Sequence, residues 1–225
     1  MFKGMFFSIA LLCCVVLQSS MAAGSVSYDI FLVPDKAAHH TVNKISEELQ
    51  QVGLESLFKQ GYLPHITLYL TGYPATTLDS LKKQVKRLAS RWSPFAVKFD
   101  RLQPTKNNWL MLQVKNSRKL QRLADEVTLA AEPLRAANPK LPNWVLKYPN
   151  KLEAFKRYGS PNVFSNFQPH ITILAKSNQS QLTNFMSRFG EHFKPAQVKV
   201  LGIGIARVNN NGQVIKELAI YYFKK

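Results

Sequence analysis

Two stretches of this chain carry side chains suited to moving protons at a phosphate: Pro64-His65-Ile66-Thr67 and Pro169-His170-Ile171-Thr172. Histidine takes or gives a proton near neutrality without any shift of its ordinary pKa. Residues two apart on a strand project to the same side. His65 and Thr67 therefore share one face while Pro64, Ile66 and Leu68 share the other, and His170 with Thr172 stand opposite Pro169, Ile171 and Ile173. The apolar faces are expected to pack under helices and the His/Thr faces to turn toward a cleft. Two histidines flanking a phosphodiester can divide the work. One neutral imidazole withdraws a proton from water, and the other, as imidazolium, protonates the leaving oxygen. Threonine hydroxyls can donate to the nonbridging oxygens. Each positioned acid or base contributes about 10²–10⁴-fold, so no metal or other cofactor is called for.

A single histidine in such a strand is more often structural than catalytic; the second copy, in a matching repeat, reverses that balance. A two-histidine metal site lacks a carboxylate in either motif, and catalytic zinc usually takes three protein ligands. His39, His40 and His192 read as surface residues. Gly202-Ile203-Gly204 lies inside an expected strand rather than at a strand-to-helix turn, so it fails as a dinucleotide signature. Neither a Walker-type phosphate loop nor a nucleophile-elbow serine is present.

The elements around the motifs follow from periodicity. Val26 to Val33 reads as a strand ended by Pro34-Asp35, and Val42, Ile45, Leu49 and Val52 then mark a helix stopped at Gly53. His65 to Leu70 reads as a strand, and Leu78, Leu81, Val85 and Leu88 as one helical face. Phe95 to Leu102 and Trp109 to Val114 are strand-like, and a helix is expected from about Ser117 to Leu134. The second motif opens a strand at His170 to Leu174, followed by a helix near Gln181 to Phe189 and strands Val198 to Val208 and Val214 to Phe223 joined by a turn at Asn209 to Gly212. Each motif is thus followed by a helix and then by a proline-led strand, Pro94-Phe95-Ala96-Val97-Lys98 or Pro195-Ala196-Gln197-Val198-Lys199. This repeat argues for an α+β chain of two lobes related by a pseudo-twofold axis, not for a doubly wound parallel sheet.

Residues 135–165 break the symmetry. They hold six basic residues against Glu153 alone, several prolines, and Trp144, Tyr148, Phe155, Tyr158 and Phe164. Aromatic content of this kind argues against disorder, and a long loop in a compact domain usually has a function.

Composition sets further bounds. Lys3 precedes an almost wholly apolar run from Met5 to Leu17, and Ser20-Met21-Ala22 supplies small residues where a signal peptidase reads, so residues 1–22 are expected to be a secretory signal. The apolar run is shorter than the ~20 residues a membrane span needs. A stable membrane anchor is therefore not expected, and a lipoprotein reading is disfavoured by Leu12 before Cys13. Cleavage there leaves residues 23–225 as one bilobal domain without either cysteine, which removes thiolate chemistry and disulfides. The remaining chain carries 29 basic against 13 acidic residues. Such a surface attracts polyanions but does not say which.

A pair of His-x-Thr motifs, each on a strand with hydrophobic x and about a hundred residues apart in a two-lobed α+β chain, resembles the two-histidine (2H) phosphoesterases, which include bacterial 2′-5′ RNA ligase-like proteins and cyclic nucleotide phosphodiesterases. The resemblance implies two lobes, each a mostly antiparallel sheet with helices on the outer face, and an active-site cleft between them. It implies His65 and His170 at the catalytic positions, Thr67 and Thr172 at the phosphate-binding positions, and no cofactor. Most such relatives are intracellular, so a periplasmic or secreted location is a departure.

The activity expected is phosphodiesterase action on 2′,3′-cyclic phosphates or 2′-5′ linkages of nucleotides or short RNA, by a monomer. RNA 2′-5′ ligation and a non-catalytic phosphate- or RNA-binding module are the alternatives. The basic, aromatic segment suits a substrate lid, because aromatic faces stack on bases and lysines steer phosphates. Trp144 and Tyr158 are its stacking candidates, and Tyr69, on the expected face of His65, is a third candidate contact.

Overall fold

Both motifs lie on end strands of a single antiparallel sheet. The computed structural model describes residues 25–224, so the expected signal peptide at residues 1–22 lies outside the described residues. The elements are β1 (Ser25–Pro34), α1 (Lys36–Gln50), β2 (Ile66–Pro74), α2 (Leu78–Ala89), β3 (Phe95–Pro104), β4 (Leu110–Val114), α3 (Arg118–Ala131), α4 (Pro149–Tyr158), β5 (His170–Leu174), α5 (Gln179–Arg188), β6 (Ala196–Val208) and β7 (Val214–Tyr222). Local chemistry sets many of these ends. Asp35 caps α1 by accepting from the Ala38 N–H at 3.0 Å, and its second oxygen accepts from the Lys199 N–H of β6 at 3.1 Å. Ser117 and Asn178 cap α3 and α5 in the same way. Among the described residues no helix is long and apolar enough to cross a membrane.

The sheet runs β2-β1-β6-β3-β4-β5, with β7 also paired to β6. Val200 of β6 is in register with both Pro34 of β1 and Phe95 of β3, so β1 and β3 lie on opposite edges of β6. Gly202 to Arg207 likewise lie between β1 and β7, so β3 and β7 follow one another along the same edge. The two expected lobes are therefore one continuous sheet, joined through the long strand β6. From either end the order is the same: motif strand, the strand before it in the chain, then the strand that follows the other motif. The pseudo-twofold thus passes between β3 and β6.

The sheet curls until its end strands β2 and β5 touch. The Leu57 N–H, in the segment leading to β2, donates to the Ile173 carbonyl of β5 at 2.9 Å, which ties the two ends together. The main core lies between the sheet and α1, α2, α3 and α5. It includes Ile30, Leu32, Ile66, Leu68, Ile171 and Ile173 from the motif strands and their neighbour. A smaller cluster of Phe31, Ala206, Val208 and Val214 covers the other face of the first lobe.

Residues 135–165 contain more regular structure than the sequence pattern suggests. They include α4, which begins at Pro149 and ends at Gly159 in the left-handed conformation (φ 69°). With Phe155 its only buried residue, α4 has too narrow an apolar face for periodicity to reveal it. The segment docks on β2: the Ala136 N–H donates to the Gly72 carbonyl at 2.8 Å, and Thr71 Oγ1 donates to the Gly159 carbonyl at 2.7 Å.

The alternation of β2 is broken by a bulge. Thr67 pairs with Phe31 and Tyr69 with Ile30, so Leu68 is the extra residue and both Leu68 and Tyr69 turn to the main core. Tyr69 is 1% exposed, and its hydroxyl donates to the Tyr158 carbonyl at 2.5 Å.

Gly202 and Gly204 are needed for close approach. A Cβ on Gly204 would run into the Phe31 ring that faces it across β1, and one on Gly202 into the Tyr221 backbone of β7. Gly204→Ala should lower unfolding stability by about 1–3 kcal/mol through overpacking, measured by denaturant titration. Tyr69→Phe leaves a buried carbonyl unpaired and should cost about 1–3 kcal/mol in the same assay, with turnover unchanged.

Candidate active site

The two imidazoles are held in the same manner. His65 Nδ1 lies 2.8 Å from the Leu63 carbonyl and His170 Nδ1 lies 2.7 Å from the Gln168 carbonyl, in each case reaching back across a proline. A carbonyl can only accept, so Nδ1 carries the proton and Nε2 is left for chemistry. On β5 the expected alternation holds: Ile171 and Ile173 are buried in the core, while His170 and Thr172 are half-buried, their side chains turned away from it. Across the sheet, Gln113 of β4 is in register with His170, and Met111 with Thr172.

The motifs meet across the cleft. Leu63 and Pro64 line one crevice together with Ile171, Thr172 and Gln213, the last from the turn between β6 and β7. The imidazoles are also near enough to interact electrically. Burial holds the His170 pKa below its ordinary value, opposed by the Gln168 carbonyl, and the nearby charges of His65 and Lys151 lower it further. Burial likewise lowers His65, opposed by the backbone of Leu63 and Gly212. The His65 ring stands edge-on to Phe31 at 6.0 Å, so the aromatic ring seated over Gly204 also buttresses the histidine.

One site residue has only a faint signal in the sequence. Asp29, an acid in the otherwise apolar run Tyr28 to Val33, is fully buried on β1 beside β2. Its Oδ2 accepts from Thr67 Oγ1 at 2.8 Å and lies 3.4 Å from His65 Nε2, while Oδ1 is buried without a hydrogen-bond partner. Burial pushes its pKa up to about 8, against the Thr67 hydrogen bond. A carboxylate is absent from the motifs in sequence, yet the fold supplies one to the first of them. Lys151 of α4 is equally hidden in the sequence. It is half-buried, donates to Asn162 Oδ1 and lies 5.6 Å from the Trp144 ring.

The other candidate contacts separate. Tyr69 does not share the face of His65, because the bulge at Leu68 turns it into the core. Tyr158 packs on Phe164 at 4.7 Å between ring centroids and carries the Arg157 guanidinium on its ring, so it anchors the insertion. Trp144 is 41% exposed and pairs edge-on with the exposed Tyr148 at 6.2 Å, which leaves an aromatic face open near Lys151.

Comparison with known proteins agrees with this architecture. The family model described as the 2′-5′ RNA ligase superfamily matches residues 33–212. Among solved structures, TT0787 of Thermus thermophilus aligns with a TM-score of 0.53 at 16% identity, over 88% of this chain and 97% of that one. E. coli LigT in apo form aligns with a TM-score of 0.51 at 12% identity, over 90% of this chain and 99% of its own. LigT complexed with 3′-AMP gives a TM-score of 0.50 at 12% identity, over 90% and 100%. No curated protein sequence matches significantly. With a family match across most of the described chain, two His-x-Thr strands meeting at one cleft and a LigT-like α+β fold, this chain belongs to the 2′-5′ RNA ligase superfamily of 2H phosphoesterases.

Proposed function

We propose that this protein is a phosphodiesterase that opens 2′,3′-cyclic phosphates or cleaves 2′-5′ linkages in nucleotides or short RNA. The observation that carries the reading is that the two motif strands touch where the sheet curls on itself and Pro64 of one motif lines a crevice with Thr172 of the other, each histidine having Nδ1 bound to a backbone carbonyl and Nε2 left for proton transfer. With a phosphate between them, one Nε2 takes a proton from water as its oxygen bonds to phosphorus. The other gives a proton to the ribose oxygen that leaves. The Thr172 hydroxyl holds a nonbridging oxygen, and Thr67 does the same on turning its proton from Asp29 Oδ2 to the phosphate. One chain supplies both halves, so a monomer suffices. The 3′-AMP bound by LigT is the kind of product that ring opening at the 2′ oxygen leaves, and it supports a nucleotide ligand for this cleft. We also read residues 1–22 as an export signal, which makes the mature chain periplasmic or secreted.

The test is hydrolysis of the four nucleoside 2′,3′-cyclic monophosphates by the mature chain in excess chelator. His65→Ala and His170→Ala should each lower kcat by about 10²–10⁴-fold, as expected for loss of a positioned acid or base. Turnover abolished by chelator, or retained in both variants, would sink the two-histidine mechanism. Trp144→Ala should raise KM several-fold for a dinucleotide substrate, measured by initial rates; an unchanged KM would remove Trp144 from the binding surface.

A further inference from the structure

The two histidines stand in opposite electrical surroundings. Beside His65 is a carboxyl group: Asp29 Oδ2 lies 3.4 Å from Nε2, with the histidine 7% and the aspartate 0% exposed. Among the described residues no carboxylate comes within ion-pair distance of His170. Its charged neighbour is Lys151, whose ammonium acts on the ring from α4.

We propose that Asp29 and His65 form one proton-holding pair that serves as the general acid, which leaves His170, with no carboxylate beside it, to act as the general base. The proposal rests on the phosphodiesterase reading and deepens it, because two matching motifs cannot by themselves say which histidine does which. Asp29 is a positioning residue that acts through the His65 imidazole.

A carboxyl group next to an imidazole holds one proton as a unit. The pair is either carboxylic acid with neutral imidazole or carboxylate with imidazolium, and the proton count is the same. The surroundings favour the first form at rest. Burial raises Asp29 to about 8 and lowers His65, and no donor meets Oδ1 to compensate an ionised carboxylate. In turnover the proton moves from Asp29 to His65 Nε2 and on to the leaving ribose oxygen as the phosphorus–oxygen ring bond breaks. His170 Nε2 takes a proton from water as the new phosphorus–oxygen bond forms. The pair ends with no proton and His170 with one, and exchange with solvent restores both.

The remaining ionisable neighbours do not compete. Burial pushes the pKa of Tyr73 on β2, and of Tyr69 behind it, well above the ordinary range, so both hydroxyls stay neutral. Glu132 and Arg135, which act on Tyr69, are paired with each other at 2.9 Å. From the β6–β7 turn only the Gly212 backbone acts on His65.

The pH dependence follows with its sign. His170 must be unprotonated, so the acid limb of the kcat/KM profile lies below the ordinary imidazole value of 6.5. The pair must keep its proton, so the alkaline limb lies near 8. Asp29→Asn is nearly isosteric but holds no proton, which leaves His65 to titrate alone below 6.5. Its alkaline limb should fall by more than one pH unit, and kcat at pH 7.5 should drop about tenfold or more with KM changed less than about twofold. Lys151→Gln should move the acid limb upward and leave the alkaline limb in place.

The experiment is the pH–rate profile of the mature chain and both variants on 2′,3′-cyclic nucleotides, with NMR titration of the His65 and His170 ring protons in the same proteins without substrate. The expected result is a His65 ring signal that responds to the loss of the pair's proton near 8, a response missing in Asp29→Asn while His170 is unmoved, and in Lys151→Gln a shift of the His170 titration alone. A His65 titration and alkaline limb unchanged in folded Asp29→Asn would overturn the pair. If Asp29→Asn does not fold, an acid limb and His170 titration that Lys151→Gln leaves in place would overturn the assignment of the base. The expected titrations without turnover on any cyclic nucleotide would uphold the shared proton and reject the phosphodiesterase reading alone.

Discussion

The structure depends on β6 bonding along both edges at once. Its first residues pair with β3, its later ones with β7, and β1 runs along the opposite edge from Pro34 to Tyr28. Its pairing with β3, its counterpart across the pseudo-twofold, is the seam that joins the two halves of the repeat. Because its backbone groups are committed on both sides, the two lobes cannot move apart without breaking ladder hydrogen bonds in the middle of the sheet. The curl that brings β2 to β5 is therefore a property of the whole sheet. Gly202 and Gly204 lie where β6 is bonded on both edges, at places where a Cβ would collide with Tyr221 or Phe31.

From this frame the cleft inherits a near symmetry that the side chains then break. Each histidine is fixed by the carbonyl two residues back, and each threonine lies one pleat along from its histidine. The asymmetry comes from outside the motifs: a buried acid on β1 lies next to His65, and no carboxylate among the described residues pairs with His170, whose pKa burial and, to a smaller extent, the charge of Lys151 on α4 hold down. A hydrolysis that needs one proton donor and one acceptor needs such a difference, since identical surroundings would favour the same protonation state at both sites. The insertion is held by hydrogen bonds to β2 at Ala136 and Gly159, so Lys151 is carried on an ordered support.

Much of this is legible from residue types. Strands β1 to β7 and helices α1, α2, α3 and α5 lie within a few residues of their expected bounds, because each has a strong apolar stripe and a stop such as Pro34, Gly53 or Asn209. The helix α4 is not legible, since Phe155 alone is buried and a single apolar position does not make a stripe. Simple alternation puts Tyr69 on the face of His65, but alternation does not anticipate a bulge, and Leu68 takes up the extra place.

What the sequence by itself determined is the repeat of His-x-Thr on alternating strands, and with it the two-lobed α+β family and the four polar side chains offered to a cleft. Strand periodicity is a local property, so two residues apart is enough to say they share a face. What only the tertiary structure decided is which side chains join them. Asp29 lies 36 residues before His65 and Lys151 lies 19 before His170, and neither is related to its histidine by any local period. Their placement follows from strand pairing and from the docking of the insertion, which depend on contacts across the whole chain. The pKa of a buried carboxyl depends on the completed interior around it, a quantity that exists only after the chain has folded.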